Sequence, residues 1–139
     1  MDPLVDPAVE AYCVTATTPV TDLHLRLRDE TFAETDLPQM QVGPIEGRFL
    51  MLLVRISGAR RAVEIGTFTG YSSLNIAEGL PEDGSLVCCD INPDTGAIAQ
   101  RYWDQSPWGH KIELKLAPAL DTLAGLEGPI DFAFVDADK

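Results

Sequence analysis

The chain has 139 residues, enough for one domain around a single core, and its 45% apolar and 23% charged residues are ordinary for a globular protein. A net charge of −12 repels nucleic acid and anionic membranes, so neither is expected as a partner. No apolar run is long enough to span a bilayer, no signal peptide or repeat stands out, and three cysteines give no disulfide framework, a combination that predicts a reduced, cytoplasmic protein.

From Met1 to Thr35 the pattern is helical. Thr18 followed by Pro19 reads as a cap and first-turn pair, and Val20, Leu23 and Leu27 form an apolar stripe, although Leu23, Leu25 and Leu27 also alternate as a strand would. His24 has no second ligand nearby and reads as a packing or surface residue. Asp36 to Gly43, DLPQMQVG, is a polar linker. Pro44 then opens a core helix with Ile45, Phe49, Leu52, Leu53 and Ile56 on one side, and Gly58 closes it.

The stretch Ala62 to Leu80, AVEIGTFTGYSSLNIAEGL, organises the chain. Val63 and Ile65 lead into Gly66 and Gly70, after which Leu74, Ile76 and Ala77 have helical spacing, so it reads strand, glycine turn, helix, the first half of a βαβ unit. Glycines in such a turn let the backbone approach a ligand, and Glu64 at the strand end can accept hydrogen bonds from a cationic or hydroxylated ligand group. Spacing narrows the ligand. A dinucleotide fingerprint needs a second glycine where Phe68 stands, and the absence of lysine from the turn removes a Walker-type phosphate loop. A nucleoside without phosphates, carrying an amino-acid tail and a ribose, fits better.

Pro81 to Gly84 makes a turn, and Ser85 to Cys89 is a strand on which Cys88 and Cys89 face opposite ways. Asp90 closes that strand at the distance beyond the glycine turn expected of a ribose-binding acid, with a turn cap as its bland alternative. Pro93 to Asp104 follows as a helix. Trp103 and Trp108 suit packing better than a substrate wall. Lys111 to Leu116 alternates as a strand, and Ala117 to Ala119 turns into a short helix. Ile130 to Asp136, IDFAFVD, is an apolar run of the kind buried on both faces of a parallel sheet, and it delivers Asp136, Asp138 and Lys139 at its carboxyl end, where open α/β sheets bind ligands.

VEIGTFTGYSS resembles the glycine motif of class I S-adenosylmethionine-dependent methyltransferases, and more narrowly that of the cation-dependent O-methyltransferases of the caffeoyl-CoA and catechol type. The resemblance continues through PQMQVGPIEGRFL, LPEDGSLVCCDINP, KLAPAL and IDFAFVDADK, covering residues 37 to 139 well and the segment before them loosely. It implies an α/β fold with a Rossmann-like methyltransferase sheet, parallel strands flanked by helices, and C-terminal strands missing. It also implies an N-terminal helical segment, 1 to 36, that covers the site and forms a homodimer, ahead of an S-adenosylmethionine-binding core, 37 to 139.

Carried onto this sequence, the resemblance sets Met40, Val42, Glu64, Gly66, Thr67, Ser72, Asp90, Ala119 and Asp138 against the cofactor. Asp136 becomes a ligand of a divalent cation, taken as Mg²⁺, and Lys139 the general base. The implied reaction is O-methylation of a small, catechol-like aromatic acceptor. Two vicinal hydroxyls chelate the cation, which lowers the acceptor's pKa, and the methyl group moves by direct displacement. One Asp is too few ligands for a catalytic cation, and the family's Asp-Asn pair from the next strand is absent from the sequence. The expectation is therefore a truncated methyltransferase domain, with a catalytically incomplete S-adenosylmethionine-binding or dimerisation module as the alternative.

Overall fold

The computed structural model describes residues 4–138. Two N-terminal helices, α1 (Pro7–Ala16) and α2 (Asp22–Glu34), precede a 3-10 turn at Pro38–Met40 and helix α3 (Pro44–Ser57). The rest alternates: β1 (Arg61–Ile65), α4 (Tyr71–Gly79), β2 (Ser85–Asp90), α5 (Pro93–Trp103), β3 (Ile112–Leu116), α6 (Ala119–Ala124) and β4 (Phe132–Val135). Among the described residues the strands form one parallel sheet of order β3-β2-β1-β4.

Local chemistry explains most boundaries. Asp6 caps α1 through a bond from the Ala8 amide with Pro7 in the first position, and Asn92 caps α5 by accepting from the Asp94 and Thr95 amides. Gly58 stops α3 in the left-handed conformation, as its position after the apolar stripe predicts. The expected cap at Thr18 is corrected. The helix starts at Asp22 with Thr21 before it, because the buried Arg48 draws the Pro19 carbonyl to its Nη2 at 2.8 Å and holds the preceding residues extended.

The core lies between the sheet and the layer formed by α2, α3 and α4. Every residue of α4 from Tyr71 to Ala77 is buried, since α3 packs on one side of this helix and β2 on the other. Leu27, Val54, Leu74, Ile76, Leu86 and Trp103 are fully enclosed. Lys111 closes the far end of α4, its Nζ donating to the carbonyls of Ala77 at 3.1 Å and Leu80 at 2.9 Å. Cys88 faces Ser73 of α4 and Cys89 faces Thr122 of α6, so the pair does point to opposite sides of the sheet.

β4 departs from expectation. Its apolar run suggests burial on both faces, but Ala133 and Val135 are exposed and Phe132 and Phe134 only half-buried, because among the described residues β4 is an edge strand paired with β1 alone. No helix among the described residues is long and apolar enough to cross a membrane.

Candidate functional site

The chain order reverses at β1, whose neighbours are β2 on one side and β4 on the other. A parallel sheet opens a crevice beyond the carboxyl ends of its strands at such a point. Here it is a cavity of about 630 Å³, to which all four strand ends contribute: Gly66 to Phe68 after β1, Asp90 and Ile91 at β2, Ala117 after β3, and Asp136 to Asp138 after β4. The segment from Leu37 to Val42 closes one wall, and Tyr71 and Ser72 of α4 another.

Gly66 and Gly70 make the turn, but for a reason the sequence does not reveal. Gly66 has φ of 92°, and a Cβ there would stand 2.5 Å from the Asp136 carbonyl oxygen. At Gly70, with φ of 84°, a Cβ would fall 2.6 Å from Trp103 Nε1, the donor that binds the Gly70 carbonyl at 3.2 Å. Both glycines admit a close approach of protein. Gly66 lets the end of β4 close onto the turn and so brings Asp136 to the cavity, while Gly70 seats α4 on the indole.

Asp90 holds the same turn. Its Oδ2 accepts from the amides of Thr67 at 2.9 Å and Phe68 at 2.7 Å, and its Oδ1 from those of Ile91 at 2.7 Å and Asn92 at 3.0 Å. Four amides engage one carboxylate. The bland reading as a turn cap is therefore realised, and the carboxylate also lines the cavity. Phe68, whose own amide is held in this clamp, has φ of 53°, unusual for a bulky residue.

Glu64 does not reach the cavity, which corrects its expected direct contact. The pleat of β1 turns its side chain towards α4, where it is fully buried and its two oxygens accept the hydroxyls of Ser72 and Ser73. Burial pushes its pKa up from 4.5 to about 7, the hydroxyl and Cys88 thiol contacts pull it down, and the Asp136 charge adds to the rise. Its influence passes through Ser72, which does line the cavity.

Met40, Val42, Gly66, Thr67, Ser72, Asp90, Ala119, Asp136 and Asp138 therefore converge on one cavity, while Lys139 lies outside the described residues. The linker's bland appearance conceals Gln41, and the exposed Ile91 goes unnoticed despite being an apolar residue directly after a strand-end acid. Both tryptophans are packing residues: Trp103 is enclosed beneath the turn, and Trp108 packs 6.0 Å from the His24 ring. His24 is fully buried, with Nδ1 bonded to Thr21 Oγ1 at 2.8 Å and its ring edge-on to Tyr71. Burial first, then the Arg48 charge, lowers its pKa from 6.5 to about 4.

A polar knot backs the cavity. Gln41 Nε2 donates to Thr31 Oγ1 at 2.9 Å and to Thr69 Oγ1 at 3.0 Å, the two hydroxyls lie 2.9 Å apart, and Thr31 also reaches the Leu27 carbonyl at 2.8 Å.

The family model described as O-methyltransferase matches residues 16–139. A catechol O-methyltransferase of Niastella koreensis is 34% identical over 113 residues, covering 78% of this chain and 51% of the relative. Caffeoyl-CoA O-methyltransferase 2 of Zea mays is 43% identical over 100 residues, covering 68% of this chain and 38% of the relative. The chain thus spans about half the length, or less, of these curated relatives. Among solved structures, an O-methyltransferase from Bacillus cereus in complex with SAH superposes with a TM-score of 0.86 at 34% identity, covering 95% of this chain and 61% of that one. A Streptomyces achromogenes O-methyltransferase involved in tomaymycin synthesis, in complex with SAM, superposes with a TM-score of 0.86 at 33% identity over 94% and 60%.

Proposed function

The chain belongs to the O-methyltransferase family, and we propose that it serves S-adenosylmethionine-dependent methyl transfer to a hydroxyl of a small, catechol-like aromatic acceptor. The observation that carries this reading is the cavity built from all four strand ends at the point where the chain order reverses, with Asp90 across its floor. Its volume of about 630 Å³ is within the range of small-molecule sites. The relatives bound to SAM and SAH lend the cofactor its identity.

When bound, S-adenosylmethionine supplies a methyl group on a sulfonium, ready for direct displacement. The chain's own residues bind and orient. Asp90 would accept ribose hydroxyls, Met40 and Ala119 would supply apolar contact to the nucleoside, and Val42, Gly66, Thr67, Ser72 and Asp138 would complete the lining around the cofactor. Glu64 fixes the Ser72 hydroxyl and so acts at one remove. Because transfer depends on orientation, the turn's rigidity serves the reaction directly. We assign the general base to Lys139 on the family resemblance.

A divalent cation is a poorer fit. Among the described residues no group of three His, Cys, Asp or Glu stands close enough to hold a metal, and Asp136, the ligand we assign, is one oxygen donor of the roughly six that Mg²⁺ takes. α1 buries no residue and leaves Val9, Tyr12 and Val14 exposed, which supports the N-terminal segment as a cover and homodimer face. Three free cysteines support a reducing, cytoplasmic setting.

Titration calorimetry with S-adenosylhomocysteine, with and without Mg²⁺, tests the proposal. Micromolar binding that ignores Mg²⁺ is expected; no binding would refute the cofactor reading, and tight stoichiometric Mg²⁺ binding would refute the account of the cation.

A further inference from the structure

We infer that Thr31 and Gln41 are positioning residues, a buried clasp through which helix α2 and the 37–43 segment hold the glycine turn in its ligand-receiving shape. The inference rests on the cavity being the cofactor site. Each member comes from a different part of the chain: Thr31 from the third turn of α2, Gln41 from between the cavity residues Met40 and Val42, and Thr69 from the turn between Phe68 and Gly70. Thr31 and Thr69 are fully buried and Gln41 is 8% exposed, so water does not compete for these bonds.

The donors can be followed one by one. The Gln41 amide donates to both threonine oxygens, and the Thr31 hydroxyl has the Leu27 carbonyl and Thr69 Oγ1 within reach as acceptors. Such a network is directional. An apolar contact in its place would tolerate sliding of α2 along the turn, whereas these bonds accept a single register.

The need for a clasp is visible at Phe68. A bulky residue with φ of 53° persists only where its surroundings over-determine it. Asp90 grips the amides of residues 67 and 68 from the β2 side, and the clasp grips residue 69 from the α2 side. The turn is bracketed. α2 is itself pinned to α5, since Glu30 pairs with Arg101 at 2.6 Å and accepts the Tyr102 hydroxyl at 2.6 Å. That tie to α5 is separate from the clasp, which acts on the turn through Thr31 itself.

Three variants separate positioning from stability. Thr31→Val keeps the side-chain shape without the hydroxyl, Thr31→Ser restores the hydroxyl, and Glu30→Gln loosens α2 on its α5 side only. Two readouts are taken: amide hydrogen exchange of residues 67–70 in the ligand-free chain, and affinity for S-adenosylhomocysteine. Thr31→Val is expected to speed that exchange at least tenfold and to weaken binding at least tenfold. Thr31→Ser should reverse both, and Glu30→Gln should lower the melting temperature without moving either. Unchanged exchange in Thr31→Val, or an equal change in Glu30→Gln, overturns the inference. Should Thr31→Val fail to fold, Gln41→Leu removes the same bonds from the other side and is read by exchange in the same way. Failure of the wild-type chain to bind S-adenosylhomocysteine would refute the cofactor reading alone, because exchange in the ligand-free chain still decides the clasp.

Discussion

Replacing Glu64 with Gln should make the stability climb more steeply with pH than it does in the wild-type chain. Glu64 titrates near 4.5 in the unfolded chain and at about 7 in the fold, so its contribution is present in full below pH 4.5 and is lost as the pH rises through 7. His24 runs the other way. Its pKa falls from 6.5 to about 4, so its contribution is present above pH 6.5 and is lost as the pH falls through 4. Both side chains are fully buried, so neither shift needs discounting for solvent. Between pH 4.5 and 6.5 each group contributes a change of about 2 kcal/mol, with opposite sign, because each titrates only partly at the ends of that window. The two contributions therefore nearly cancel there. Relative to the wild-type profile, Glu64→Gln adds a rise of about 2 kcal/mol, whereas His24→Asn adds a fall of similar size. Urea denaturation followed by the fluorescence of Trp103 and Trp108, at pH 4.5, 5.5 and 6.5, reads both slopes. If Glu64→Gln shows the wild-type pH profile, the carboxyl ionises in the fold as it does in water, and the account of its burial is wrong.

Gly66→Ala combines a φ of 92° with a Cβ set 2.5 Å from the Asp136 carbonyl oxygen. Backbone strain and overpacking together should cost about 2–6 kcal/mol in urea denaturation, and a loss under ~1 kcal/mol would show that β4 does not close on the turn. Asp90→Ala frees four backbone amides and removes the assigned ribose acceptor, so affinity for S-adenosylhomocysteine should drop at least tenfold, an expectation that unchanged calorimetric binding would defeat.

Features set by short-range chemistry are legible in the chain. Proline and glycine fix the ends of α3, and the β-branched run into Gly66 followed by helical spacing marks the βαβ start, because both signals act within a few residues. The strand-end acid is legible for the same reason. Hidden features depend on partners far along the chain. Thr18 and Pro19 carry a local helix start that Arg48, twenty-nine residues beyond Pro19, overrides. Glu64 sits where a ligand-binding acid is expected, yet the strand pleat hands it to Ser72 and Ser73. Gly70 carries no mark of the indole it accommodates, and Gln41 none of its two threonine partners, since neither contact is encoded by spacing.

The position of β1 between β2 and β4 has a kinetic consequence. Ala62 pairs with Leu86, 24 residues away, and with Phe132, 70 residues away. Closing the longer loop costs about 1 kcal/mol more in chain entropy, and β4 repays it with a half-exposed strand. Loop-closure entropy therefore favours pairing of β1 with β2 before β4 docks. Gly66 and Asp136 meet only when β4 pairs with β1, so the cavity depends on the longest-range pairing of β1. A ligand touching both the turn and the residues after β4 ties that strand to β1 and stabilises the pairing.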